Sequence, residues 1–330
     1  MTKLLEFKEK INNIYIKFGR YIRPAVKFLI AFTVLTAINS YIGYDQRLNS
    51  IAVVMILSLV AAFVHPGLIV LMAAVFSGLH IYYCSPVLSI VICLVFLILY
   101  LLIIRFMPQS GYIVLAMPVL FVLRIPYAMP ILLGIAWTPV AVIPCACGII
   151  VYYLFAVIKS ASILTGGTSV DDVLEIYKYV IDGLRNNKEM LLVLIAFSIV
   201  ILVTYFIRKM AVDYAFNIAV AAGVVVNVLA FLIGNLILNV SNKVVYILIG
   251  SLISGILVWI IQFFRLNLDY SAVEFTQFED DDYYYYVKAV PKVKIAAPKK
   301  DVKTINARRN DDMMDEQEIL DFDEDEPRSK

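Results

Sequence analysis

The sequence predicts an all-α fold: a polytopic helical membrane protein with about eight full spans, one short proline-broken hairpin and a disordered cytoplasmic tail. Three observations carry this. The chain is 62% hydrophobic and only 16% charged over 330 residues, too little polar surface for a soluble domain of that length. Several apolar runs approach or pass the ~18 residues of a membrane-spanning helix. Lipid offers the backbone no hydrogen-bond partner, so such runs must be helical.

The elements follow in order. Residues 1–27 are mixed and basic, with no signal-peptide cleavage pattern. They suit an amphipathic cytoplasmic helix lying on the membrane face. Spans are expected over about 28–44, 51–64, 68–83 and 86–104. Between Pro108 and Pro144 lie six of the twelve prolines. The apolar pieces between them are too short for a bilayer, and each proline removes a helix hydrogen bond. This predicts a broken hairpin, with residues 112–137 either crossing or re-entering. A span over 140–158 precedes a loop, 159–189, that contains an amphipathic helix. Val173, Tyr177, Val180 and Leu184 recur there at helical spacing, and Ser169 is a candidate N-cap. Spans over 190–207, 214–238 and 244–264 close the 28–264 membrane domain. No internal repeat is evident.

Charge sets the expected orientation. Residues 1–27 hold seven Lys/Arg, and Arg105, Arg208, Lys209 and Arg265 mark other span ends. Placing all of these inside satisfies the positive-inside rule. Both termini are then cytoplasmic, the loop 159–189 lies outside, and the location is the plasma (inner) membrane.

Enzyme motifs are absent: no H-E-x-x-H, no G-x-S-x-G elbow and no phosphate loop. No carboxylate pair falls within the spans, so no catalytic residue and no cofactor are expected. Cys84, Cys93, Cys145 and Cys147 lie in or beside apolar segments and form no zinc pattern, so no metal is expected. Nor is a nucleic-acid partner.

A few polar residues stand out. Arg124 sits at the expected break of the hairpin, between Pro118, Pro126 and Pro130. An arginine in a membrane marks a functional site by default, and broken helices are where transporters bind solutes. The competing role for Arg124 is contact with headgroups at the far interface. Asn217 and Asn227 lie within one apolar helix, where asparagine either joins helices or lines a polar pathway. Together these form the candidate substrate-binding set. Ser251 and Gly255 make a small-xxx-small face for close packing. His80 is expected at a span end, in an aromatic belt or a polar gate.

The tail, 265–330, carries 11 Lys/Arg against 17 Asp/Glu. Its later parts have the composition of disorder. Its first part, "VEFTQFEDDDYYYYVKAV", has high β-propensity. Tyr283, Tyr284, Tyr285 and Tyr286 are expected to extend and add to the sheet edge of a partner, while Leu320 and Phe322 suit a short docking motif. The alternative is an acidic tail that only solubilises.

The "EFxxFEDDDYYYYVKAVPK" pattern of residues 274–292 resembles one that follows the last span of uncharacterised clostridial membrane proteins, often labelled ABC-transporter permeases. The order of apolar spans is similar too. The resemblance implies a Gram-positive inner-membrane protein and no specific site residue. No segment matches the coupling-loop pattern of importer permeases. The expected function is a permease-like subunit that moves or binds a solute or lipid, with a tail that docks a cytoplasmic ATPase. The rival expectation is a non-transporting scaffold whose tail docks an envelope-assembly protein. Both embed in the lipid bilayer.

Overall fold

The computed structural model describes residues 2–101, 105–161, 170–210, 212–239, 244–265, 274–280 and 282–289. It is mostly helical. Among the described residues, six helical segments are long and apolar enough to cross a membrane, as in a membrane protein.

Helix α1, Thr2–Tyr41, is continuous for 40 residues, and its apolar stretch begins at Ile14. The sequence suggested a surface helix ending near residue 27. The structure has no break there, because Pro24 removes only one hydrogen bond and the helix runs through it. Helix α2, Ile51–Phe63, packs against α1, and Lys27 Nζ donates to the Val64 carbonyl at its end (2.9 Å).

Helices α3 (Pro66–Cys84) and α4 (Pro86–Leu99) both start with proline in the first turn, where its missing N–H costs nothing. His65 and Ser85 cap them by accepting from Gly67 and Leu88 N–H. The expected eight full spans meet a difference at α2 and α4. These have 13 and 14 residues, or about 20 Å at 1.5 Å per residue, against a hydrocarbon thickness of about 30 Å. Extended Val64 ends α2, and a π turn, with Arg105 N–H bonding the Tyr100 carbonyl, follows α4.

The proline-rich region is two short helices, α5 (Gly111–Val122, with Pro118 inside) and α6 (Ala128–Ala136). They do not pack chiefly on each other. α5 packs on α7 (Val142–Ala161), α1 and α3; α6 packs on α9 (Lys188–Lys209), α10 (Ala215–Leu238) and α11 (Val244–Arg265). The largest core cluster lies between these groups, with Met117, Leu133, Ile149, Phe197 and Phe231 all buried. Helix α8, Val170–Arg185, rests Ile176 and Val180 against α7 and α4. The expected cap Ser169 lies outside the described residues.

The all-α expectation needs one correction. Strands β1 (Glu274–Glu279) and β2 (Tyr284–Ala289) form an antiparallel hairpin, so this part of the tail is ordered. The tyrosine strand pairs with the chain's own preceding segment. The Phe278 and Tyr285 rings, directly opposite, stack at 4.9 Å. Asp280 closes the turn, its Oδ1 accepting from Asp282 and Tyr283 N–H. Leu320, Phe322 and the remainder of the tail lie outside the described residues.

Candidate functional site

The hairpin break creates the local geometry. Pro126 bars a helix at the preceding residue, and the chain turns with Arg124 in the left-handed region (φ 62°). The Ile125 N–H still reaches the Leu120 carbonyl at 2.9 Å. Arg124 is exposed at the tip, while Pro126 and Pro130 are buried. Pro118 is half-buried, on the opposite arm.

Aromatic rings pack beneath this tip. Phe121 stacks on Tyr152 at 4.3 Å, and Tyr127 meets Phe231 at 5.3 Å and Phe197 at 6.1 Å. Tyr127 also covers Gly250 of α11, where any side chain would strike its ring. Tyr152 precedes Lys159 by two helical turns, about 10 Å. The tip therefore stands short of the end of α7.

The other end of α6 is held by Arg208. Its guanidinium donates to the carbonyls of Ile135 and Trp137, the latter at 3.1 Å. Arg265 lies over the Trp137 ring at 6.0 Å. Cations suit a helix C-terminus, where carbonyls lack partners. In the sequence, Arg208 and Arg265 mark only a membrane face. Their partners are about 70 or more residues away, and no local pattern signals that.

Between these two ends runs a polar seam. At the Arg208 end Gln262 Nε2 donates to Asn217 Oδ1 at 2.7 Å, and Asn217 is exposed. Deeper, Asn227 Nδ2 donates to Ser251 Oγ at 2.7 Å, with both residues wholly buried. Ser254 and Thr204 lie between these two pairs. Thr204 wedges between Gly134 of α6 and Gly223 of α10; a Cβ on Gly223 would stand 2.8 Å from Thr204 Oγ1. Four buried oxygens in the seam accept or donate no hydrogen bond: Thr204 Oγ1, Asn227 Oδ1, Ser254 Oγ and Gln262 Oε1. An unmade bond on a buried polar atom costs about 1–3 kcal/mol, so each of these four oxygens calls for an explanation.

Of the residues singled out in the sequence, Asn217 and Asn227 line this seam. Arg124 does not; it lies beyond the aromatic layer, at the tip. Thr204, Ser254 and Gln262 were missed. For Ser254 and Gln262 the available signal was a stripe on α11, residues 251, 254, 258 and 262, at helical spacing; Thr204, alone in an apolar stretch of α9, had none.

His80 is wholly buried, one turn before the end of α3. Its Nδ1 accepts the Asp45 N–H at 3.3 Å, which leaves Nε2–H to donate to Asn39 Oδ1 at 2.7 Å. The ring thus joins α3 to the end of α1. Among the described residues, no group of three or more His, Cys, Asp or Glu could hold a metal. Comparison with protein-family models, curated proteins and solved structures finds no match.

Proposed function

We propose that this chain is a permease-like integral subunit of the plasma membrane that moves or binds a small polar solute through the α6–α9–α10–α11 seam. The observation that carries this is the set of buried, unsatisfied oxygens beside the short helix α6. A seam built only as packing would pair its own polar atoms. Thr204 Oγ1 lies beside Gly223, Asn217 at one end of the seam is exposed, and Asn227 at the other is wholly buried. Irregular backbone and half-helices are tolerated at membrane depth where they line a cavity or a site.

The proposed orientation puts both termini in the cytoplasm. Arg208 and Arg265 meet at Trp137, which precedes α7, while Lys159 at the far end of α7 meets Tyr41 at the end of α1. The start of α1, with its basic residues, then shares a face with Arg208 and Arg265, in line with the positive-inside rule. The full count of eight spans requires α2 and α4 to cross a locally thinned bilayer.

The test is access from water. In a variant with Cys84, Cys93, Cys145 and Cys147 replaced by serine or alanine, Ser254→Cys is treated with a membrane-impermeant thiol reagent in inside-out and right-side-out vesicles. Labelling from the cytoplasmic side alone is expected. Absence of labelling from either side would leave the seam as packing and sink the transport reading.

A second reading rests on the hairpin. Tyr283, Tyr284 and Tyr286 are exposed on it, and exposed aromatics mark protein contacts. In this reading the chain is a scaffold whose tail docks an envelope-assembly protein. The permease reading assigns the same surface to a cytoplasmic ATPase. Co-purification with the full chain and with a truncation near Asp269 separates them by which protein is lost.

A further inference from the structure

On the opposite side of the hairpin from the polar seam, an apolar crevice separates α1, α3, α5 and α7. Its free volume is about 50 Å³, several times what one water molecule needs. Ala37, Ala74, Pro118 and Val122 line it, none of them fully buried. Ser77, its one hydroxyl apart from two tyrosines, is spent on the Ala73 carbonyl at 2.7 Å. The wall thus offers carbon and almost no polar group. Water gains nothing there, and a crevice of this kind in a membrane fills with hydrocarbon.

One end differs. Tyr41 and Tyr152 line it, their rings 5.7 Å apart. The exposed Lys159 ammonium lies 5.3 Å from the Tyr41 ring centroid and 3.5 Å from the Tyr41 carbonyl. The site is therefore graded from apolar to phenolic to cationic, and the cation sits at the end of α7, where a membrane surface lies. That is the grading of an amphiphile with a negative head. Basic groups at the ends of pockets between membrane helices hold lipid headgroups in this way.

We propose that this crevice binds one acyl chain of an anionic phospholipid, with the headgroup phosphate at Lys159. The site is separate from the polar seam and does not depend on the transport reading.

The experiment is native mass spectrometry of the detergent-purified full chain with equimolar phosphatidylglycerol and phosphatidylcholine of identical chains. One tightly held phospholipid is expected, with phosphatidylglycerol favoured about fivefold, the discrimination one lysine confers near a surface. Lys159→Gln should abolish the preference while one lipid still binds. Ala74→Phe should displace the lipid whatever its head, and Ala37→Phe on the facing wall repeats the test if the first variant does not fold. Folded filling variants that retain the lipid as wild type does would overturn the proposal. So would an unchanged headgroup preference in Lys159→Gln, whose exposed side chain leaves folding intact.

Discussion

The Arg208 guanidinium donates to the Trp137 carbonyl at 3.1 Å across 71 residues of sequence. Two bonds from this one side chain tie the end of α9 to the end of α6, a helix of nine residues. So short a helix has little stability of its own, and its last carbonyls would otherwise lie bare.

Replacing Arg208 therefore loosens the second arm of the hairpin. Hydrogen bonds from a charged group contribute about 1.5–3 kcal/mol. Arg208→Gln is expected to lower stability by that order, measured as the unfolding midpoint in detergent. Arg208→Lys should recover only part, because an ammonium cannot present the fork that reaches two carbonyls.

Thr204 separates a packing role from a solute-binding one. Thr204→Val keeps the shape and removes an oxygen that has no partner. The expected outcome is unchanged or raised thermal stability, together with loss of cytoplasmic-side labelling at Ser254→Cys. A clear fall in stability would instead make Thr204 Oγ1 a structural bond. Gly223→Ala should destabilise by about 1–3 kcal/mol, since the new methyl meets Thr204 and Ile131 at once.

Asn227 and Ser251 form one interhelical bond within the apolar core of the bundle. A double-mutant cycle with Asn227→Ala and Ser251→Ala should yield a coupling of about 0.6 kcal/mol, the measured average for such bonds in membranes, and no more than about 1.7 kcal/mol, the measured maximum. A coupling near zero would show that the two side chains do not meet in the folded protein.

The β hairpin is expected to respond to acid. Asp280 is held below the ordinary carboxylate range, first by the Tyr285 hydroxyl (2.8 Å) and then by the N–H groups of Asp282 and Tyr283. A depressed carboxylate stabilises above its unfolded pKa, and that contribution is lost as pH falls through the folded value. Tyr285 is raised by the same bond, so its contribution is full below its unfolded pKa and is lost as pH rises through the folded one. Amide chemical shifts across 274–289 should thus hold steady near neutrality and collapse toward coil values in acid. Asp280→Asn should flatten the acid limb.

Much of the helical plan was legible in the residues. Unbroken apolar runs can only be helices in lipid, so the long helices α3, α7, α9, α10 and α11 follow from composition alone. The prolines at 118, 126 and 130 announce a broken segment because proline's effect is local and covalent. Asn217 and Asn227 stand out for a similar reason: an amide in an apolar run needs a partner wherever it lies.

What remained hidden was who those partners are. Thr204 looks like an ordinary small residue until α9 and α10 bring it against Gly223, and Ser254 until the packing of α11 buries it. Arg208 looks like a membrane-face marker until α6 ends beside it. The tyrosine strand has β-propensity on its own, but whether it pairs with a partner protein or with Glu274–Glu279 depends on an aspartate-closed turn of four residues. Length, apolarity and helix breaks are properties of neighbouring residues, and the sequence by itself determined them. Which polar atoms are satisfied, which are left bare, and which crevice stays open depend on contacts between distant segments, and only the tertiary structure decided those.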